Sequence, residues 1–536
     1  MNKKWLTAST SIMLTAALAV TGCTSGNSED NKEKAAAKQV QFPLEQPVQL
    51  KIFASADPQV KKGYNEMQMF KDLQQKTNVQ VEWTQVSTEQ LIEKKNITIA
   101  SGDLPDAFYG RAVLTDQEVV KLGSQGAIIP LDDLIDAHAP NLKKIFEKRP
   151  EFKKLLTAPD GKIYTLPTTV EREFNAIPST LFMNKKWLDQ LGLPIPTTTD
   201  ELYKTLQAFK EKDPNGNGKN DEIPFSFLFN NSQNGSNSLA GSFGVKMDDT
   251  KHHLFPDSNG KLKFAPAEPE YKNYLQYVSK LYKEKLIDQE VFTHNLNQYL
   301  TKVRTKEGLV GAFYGYSLAS VFGGANNDYV PVAPLKGPNG EQGGWLRTSV
   351  GYSIGSFAIT SANKHPEVTM KWIDSAFDEK LSFQFESGPF GLTSKENADG
   401  TIEKLPTPQG VGAGAFKHSE APGNGAVVIV LKDMVDRYKD AQADEKRSYY
   451  KLYDAFAPKD IVVNTLWSSE DAEKLAPIQL DLGERNGYYS SMFAKFVMDG
   501  FTDADWDNHL AQLKKLKIDE YVGMYQKYHD AYVGKK

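Results

Sequence analysis

The sequence predicts an α/β fold built on parallel sheet, and three successive patterns carry that prediction. Val48, Leu50 and Ile52 alternate as in a strand. Met67, Phe70 and Leu73 then recur at three-residue steps, as on one helix face, and Val79, Val81 and Trp83 alternate again. Strand and helix taking turns require crossover connections, which make neighbouring strands parallel. Ligands of such sheets bind beyond the carboxyl ends of the strands.

The remaining elements follow in chain order. SGDLPDAFYG (101–110) reads as a turn feeding a short strand, Ala107–Tyr109, which places Tyr109, Gly110 and Arg111 at an expected cleft mouth. GAIIPLDDLID (126–136) and DGKIYTLP (160–167) come next. A longer stretch then leads into TTTDELYKTLQAFKEK (197–212), where Thr198 and Glu201 have capping-box spacing and Leu202, Leu206 and Phe209 share a helix face. Tyr271, Tyr274, Leu275, Val278, Leu281 and Tyr282 mark a second amphipathic helix. EGLVGAFYGYS (307–317) holds an apolar strand core, and 352–377 reads as strand, turn and helix, with Pro366 at a favourable first helical position. The C-terminal third is helical by pattern, and no internal repeat is visible.

Composition bounds the function. The 536 residues suffice for two or three domains, and the net charge of −5 with no basic block argues against nucleic acid as the main partner. The single cysteine, Cys23, excludes an intrachain disulfide and a Cys-based zinc site. It closes a positive start (Lys3, Lys4), an apolar run from Ile12 to Val20 and the residues Thr21-Gly22, together a secretory signal. Residues 24–40 are polar and small and read as a flexible tether.

One loop, DPNGNGKNDEIP (213–224), follows a calcium pattern in its first half. Calcium takes six to eight oxygens, and the EF-hand loop supplies them from positions 1, 3, 5, 7, 9 and 12, with glycine at 6. Asp213, Asn215 and Asn217 occupy 1, 3 and 5, Gly218 is at 6, Lys219 at 7 offers its carbonyl, and Asp221 is at 9. Position 12 is Pro224, so Glu222 would have to supply the closing carboxylate, and the exit reads as a strand instead of a helix. The alternative is a metal-free turn in which these side chains bond their own backbone.

In order, the lipobox-like Val20–Cys23, ASGDLPDAF, GAIIPLDDLI, DGKIYTLP, NKKWLDQLGLPIPTTTDEL, DPNGNGKNDEIPF, FAITSANKHPEVTMKWID and DEYVGMYQKYHDAY resemble the substrate-binding lipoproteins of bacterial carbohydrate ABC importers. The match is to the large branch that takes up oligosaccharides or polysaccharide fragments such as alginate. The resemblance implies a two-lobed, type II periplasmic-binding-protein-like α/β fold that closes on a ligand between its lobes. It implies a signal peptide at 1–22, a lipidated Cys23 and tether at 23–45, lobe 1 from 46–170 plus 310–375, and lobe 2 from 171–309 plus 376–536. Crossings are expected near Thr168–Leu181, Phe313–Tyr316 and Ser375–Gly388. It also supports structural calcium on Asp213, Asn215, Asn217, Lys219, Asp221 and Glu222. The implied protein is a non-catalytic monomer anchored to the membrane, with an oligosaccharide and an ABC permease as partners.

Sugars present hydroxyls at the ring edge and C–H-rich faces, met by polar side chains and by aromatic rings. Tyr109, Arg111, Tyr314, Tyr316, Trp345, Arg347 and Trp467 are candidates by their place at strand ends or in polar turns, and Glu171 and Arg172 by a probable crossing. Core or rim packing is the common alternative for each. A secreted glycoside hydrolase is the competing function class, and a surface glycan sensor or adhesin on the same fold is another; no GxSxG, HExxH or Walker A motif is present.

Overall fold

The computed structural model describes residues 40–536 apart from 58–59, 230, 232, 236, 247–252, 307, 344–351, 459–461, 464, 484–486 and 535–536. Cys23 and the expected signal and tether up to residue 39 lie outside the described residues, as do Trp345 and Arg347. In chain order the strands are β1 (Val48–Ala56), β2 (Val79–Ser87), β3 (Ala107–Tyr109), β4 (Leu166–Val170), β5 (Thr180–Asn184), β6 (Ile223–Ser226), β7 (Leu254–Pro256) and β8 (Leu262–Phe264). They continue with β9 (Val310–Gly315), β10 (Tyr329–Val332), β11 (Ser353–Ile359), β12 (Ser394–Glu396), β13 (Ile402–Lys404), β14 (Ile429–Val430) and β15 (Tyr438–Lys439).

The first sheet has the order β14-β4-β11-β3-β1-β2. β1 pairs in parallel with β2 from Val48↔Val79 to Ala56↔Ser87, and with β3 on its other edge. β11 runs antiparallel to both of its neighbours, so the sheet is mixed. The second half of β1 is buried on both faces, since its apolar run is covered on each side. Phe53, Phe108, Phe357 and Trp372 belong to the core around this sheet. Where β3 ends, Gly110 takes φ 125° and its Cα faces Ser55, whose carbonyl would lie 2.5 Å from any added Cβ. Only glycine allows that approach.

The second sheet has the order β10-β5-β9-β6. β5 and β9 are buried along their length, and Leu202, Leu206 and Phe209 of the helix Thr199–Glu211 belong to the core beside them. Gly311 of β9 lets this helix close in: a Cβ there would meet Phe209 at 2.4 Å and Trp187 at 2.8 Å. The helix starts as the sequence predicts, with Thr198 Oγ1 accepting from the Glu201 N–H at 3.1 Å. The return bond is displaced: the Glu201 carboxylate accepts from the N–H and hydroxyl of Thr197. The helix Pro269–Lys283 buries Tyr271, Tyr274, Leu275, Val278 and Leu281.

The distribution of strands between the sheets differs from the expected segments. Of 310–375, β11 lies in the first sheet, whereas β9 and β10 lie in the second. Of 376–536, Phe383, Phe385, Ile402 and Val430 lie in the core of the first sheet. The physical reason is that a short apolar strand carries no mark of which sheet it joins. The chain passes from the first sheet to the second between β4 and β5, returns between β10 and β11, and leaves again after β14.

Candidate functional site

A cavity of about 510 Å³ opens where the first crossing segment leaves β4. Arg172, Phe174 and Asn175 of that segment line it, together with Tyr316 just beyond β9. Glu386 ends the helix Glu379–Ser387 on one side, and Arg447 of the helix Ala441–Tyr453 stands on another. The wall is therefore drawn from chain on both sheets, and it mixes aromatic rings with charge.

The charges are organised in pairs. Arg172 Nη2 donates to Glu386 Oε1 at 2.9 Å, and the Ser387 hydroxyl donates to Glu386 Oε2 at 2.5 Å. Burial alone would raise the Glu386 carboxyl, but the cations Arg172 and Lys417 and the Ser387 bond hold it down at about 2. Next to it in sequence, Glu171 accepts two bonds from Arg149, at 2.7 and 3.0 Å, and one from the Lys432 N–H at 2.8 Å. Consecutive residues of the crossing segment are thus fastened to different elements, and Glu171 serves as a buried anchor. Tyr316 donates its hydroxyl to Asn175 Oδ1 at 2.5 Å, which ties the end of β9 to the same segment.

The other nominated residues take different places. Tyr109, expected at the cleft mouth, is core: it is buried among Tyr64, Phe70, Trp83, Phe357 and Trp372, and its hydroxyl accepts from the Val427 N–H at 3.2 Å. A three-residue strand is too short to carry a side chain past the core. Tyr314 is also core, in contact with Phe225, because β9 is buried along its whole length. Trp467 stacks on Tyr528 at 4.2 Å and meets Tyr525 at 4.7 Å, both in the helix Ile518–Val533. Arg111 is exposed just past Gly110. The structure brings Arg172 and Tyr316 together at the cavity, and adds Phe174, Asn175, Glu386, Lys417 and Arg447, which the sequence reading did not nominate. Phe174 and Asn175 lie two and three residues beyond the nominated Arg172; the others have no local signal.

The 213–222 loop holds its oxygens in a ring of short-range bonds. The Asp213 carboxylate accepts from the N–H groups of Asn217 (3.1 Å) and Gly218 (2.9 Å), and Asn217 Oδ1 accepts from the Lys219 N–H at 2.8 Å. The side-chain amides of Asn215 and Asn217 donate to Asp221, at 3.2 and 3.0 Å. Gly218 has φ 74°, the sharp turn that position 6 requires. Both carboxylate oxygens of Glu222 are buried and accept no hydrogen bond among the described residues. Burial and the neighbouring Asp213 charge raise its carboxyl. A buried carboxylate that faces another without a donor is what a bound cation would neutralise. Carboxylates, amide oxygens and a carbonyl form a hard donor set suited to calcium, so these residues fit the ion. The set depends on amides: no three His, Cys, Asp or Glu side chains converge anywhere among the described residues.

Two sheet-centred lobes joined by crossing chain, with a ligand cleft between them, define a two-lobed binding protein of the type II class. Residues 57–380 match the family model for bacterial extracellular solute-binding protein, and the chain belongs to that family. It is 32% identical over 539 aligned residues, 98% of each chain, to the fructooligosaccharide ABC transporter substrate-binding protein FusA of Streptococcus pneumoniae serotype 4. The solved structure of S. pneumoniae FusA with kestose matches with a TM-score of 0.77 and 31% identity, covering 91% of this chain and 100% of that one. A FusA EF-hand mutant in complex with fructo-nystose matches with the same values. An HMO-binding, ABC-transporter-associated solute-binding protein of Bifidobacterium longum infantis matches with a TM-score of 0.80 and 25% identity, covering 91% of this chain and 99% of that one. These relatives are solute-binding proteins, and the family is extracellular. No helix among the described residues is long and apolar enough to cross a membrane.

Proposed function

We propose that this protein captures an oligosaccharide between its lobes and delivers it to an ABC importer without cleaving it, and that fructooligosaccharides are the first class to test. Near-full-length similarity to FusA is the observation that carries this reading. The cavity supports it: rings at Phe174 and Tyr316 suit sugar faces, and Asn175, Arg172 and Glu386 suit hydroxyls. Lobe 1 centres on 48–170 and 353–437, and lobe 2 on 180–332 and 441–533. Calcium on Asp213, Asn215, Asn217, Lys219, Asp221 and Glu222 cross-links the loop that enters β6. Its contribution is charge neutralisation and rigidity within lobe 2. Export, lipid attachment at Cys23 and tethering through 24–45 complete the reading for a monomer that meets its permease at the membrane surface.

Titration calorimetry with kestose, nystose, milk oligosaccharides and oligogalacturonides tests the ligand class. Saturable binding of fructooligosaccharide with no products by chromatography is expected. Cleavage would favour a glycoside hydrolase, and absence of heat with every glycan would overturn the reading. Labelling with a lipid precursor, compared between wild type and Cys23→Ser, tests the anchor.

A further inference from the structure

Two consecutive residues of the helix Ala441–Tyr453 place cations against aromatic rings of the cavity wall. Arg447 Cζ lies 5.1 Å from the Phe174 ring centre, and Lys446 Nζ lies 4.6 Å from that of Tyr316. The two cations are otherwise unlike. Arg447 is paired with Asp444 at 2.5 Å and donates to the Val435 carbonyl at 2.9 Å. Lys446 is fully buried, and among the described residues its hydrogen-bond contact is Thr180 Oγ1 of β5, at 3.5 Å. No carboxylate among the described residues is ion-paired with it. Glu445, its neighbour on the same helix, is engaged elsewhere: it accepts from the Ala319 N–H at 3.1 Å and from the Tyr449 hydroxyl at 2.7 Å.

Burying an ammonium without an anion is costly. Burial lowers the Lys446 amine to about 7, with Glu445 acting weakly against the shift. A methionine of similar volume would pack there at no such cost, so the contact that the charge makes is the informative one. That contact is Tyr316, which is half-buried and lines the cavity. Asn175 holds the Tyr316 hydroxyl, and the ammonium sits over the ring. The helix is itself fastened to the second sheet: the Tyr453 hydroxyl accepts from the Leu181 N–H at 3.2 Å and donates to the Val332 carbonyl at 2.8 Å. The lysine is therefore presented from a rigid base. Arg172, at the mouth of the same segment, also interacts with Tyr316.

We propose that Lys446 is a positioning residue whose ammonium fixes the Tyr316 ring as the flat contact for a sugar in the junction cavity. This rests on the carbohydrate-binding reading above. The test compares wild type, Lys446→Met, Lys446→Arg and Tyr316→Phe. Kestose affinity is measured by calorimetry from pH 6 to 9, beside melting temperatures. A second, ligand-free measurement follows ring-labelled tyrosine by NMR, with Tyr316→Phe identifying the Tyr316 signal.

The expected result is a split between stability and binding. Lys446→Met melts higher at neutral pH, because the buried charge is gone, yet binds kestose about tenfold more weakly at pH 6.5. Wild-type affinity falls as pH rises and the ammonium is lost, converging on that of Lys446→Met, whose profile is flat. Lys446→Arg keeps affinity with no pH dependence. The Tyr316 signal moves between pH 6 and 9 in wild type and stays fixed in Lys446→Met. Equal kestose affinities and pH profiles in wild type and Lys446→Met overturn the proposal, as does a wild-type Tyr316 signal that does not move. If wild type binds no glycan, the functional reading falls, and the Tyr316 signal alone then upholds or overturns Lys446 as the group that sets the ring.

Discussion

The 213–222 loop and the junction cavity are both polar constellations, but they are assembled in opposite ways. Every oxygen of the loop comes from ten consecutive residues, and its bonds span two to six positions. The cavity pairs Arg172 with Glu386 across 214 positions and Tyr316 with Asn175 across 141. The loop concentrates like charge and leaves Glu222 without a donor; the cavity matches Arg172 with Glu386. A cation from outside would neutralise the loop's like charge, whereas the cavity already pairs its buried Glu386 carboxylate and can present its remaining groups to an uncharged ligand.

The largest expected effect tests the matched half. Glu386→Gln leaves Arg172 beside no anion, and loss of one partner of a buried pair costs 3–5 kcal/mol. Arg172 is about one-third exposed, so the lower end, about 3 kcal/mol, is expected in urea titration. The pH dependence has a definite sign. Glu386 sits at about 2 in the folded state against an ordinary 4.5, so its stabilisation is complete above 4.5 and is lost as pH falls from there toward 2. Glu386→Gln flattens that acid limb. A variant as stable as wild type, with the same acid limb, would break the contrast.

The unmatched half gives the next effect. Removal of calcium by chelator is expected to lower the melting temperature, since an ion present at a hundred times its Kd adds about 2.7 kcal/mol. Glu222→Gln abolishes the chelator response. In chelator this variant is also at least as stable as wild type, because a neutral amide replaces a buried carboxylate that has no donor. A chelator response that survives Glu222→Gln would remove Glu222 from the ion's ligands.

Within the cavity wall, Tyr314 and Tyr316 sharpen the comparison further. They lie two residues apart, with Tyr314 buried in the core and Tyr316 lining the cavity. Tyr316→Ala is expected to weaken kestose binding about tenfold, or about 1.4 kcal/mol. Tyr314→Phe is expected to leave affinity unchanged. Calorimetry on folded, monodisperse variants decides between them.

The same contrast sets what the sequence could reveal. Alternation in β1 and β2 and the Leu202–Leu206–Phe209 face were legible, because period and capping are local properties. The 213–222 loop stood out for the same reason, since all of its candidate oxygens are near neighbours in sequence. Which sheet β9 joins was not, since β9 pairs with β5 and β6 through bonds that no local pattern encodes. Glu386 and Lys446 were invisible: a lone acid or lysine in a helical run reads as solvated surface until its burial is known. Position at a strand end does not imply exposure for an aromatic: Tyr109 and Tyr314 point into cores, whereas Tyr316 lines the cavity.

Tyr109 supplies the smallest and cleanest separation of core from cavity. Its ring touches Tyr64, Phe70 and Trp83, and its hydroxyl accepts one bond, from the Val427 N–H. Phenylalanine keeps the packing and removes only that acceptor, so Tyr109→Phe should cost about 1 kcal/mol. The loss should appear as a lower urea midpoint with an unchanged slope, since the surface exposed on unfolding is the same. Kestose affinity should not move, because Val427 precedes β14 within the first core and lies outside the cavity lining. A stability loss coupled to weaker binding would show instead that the β3 end reports to the ligand through Val427, and the division between core and cavity would have to be redrawn there.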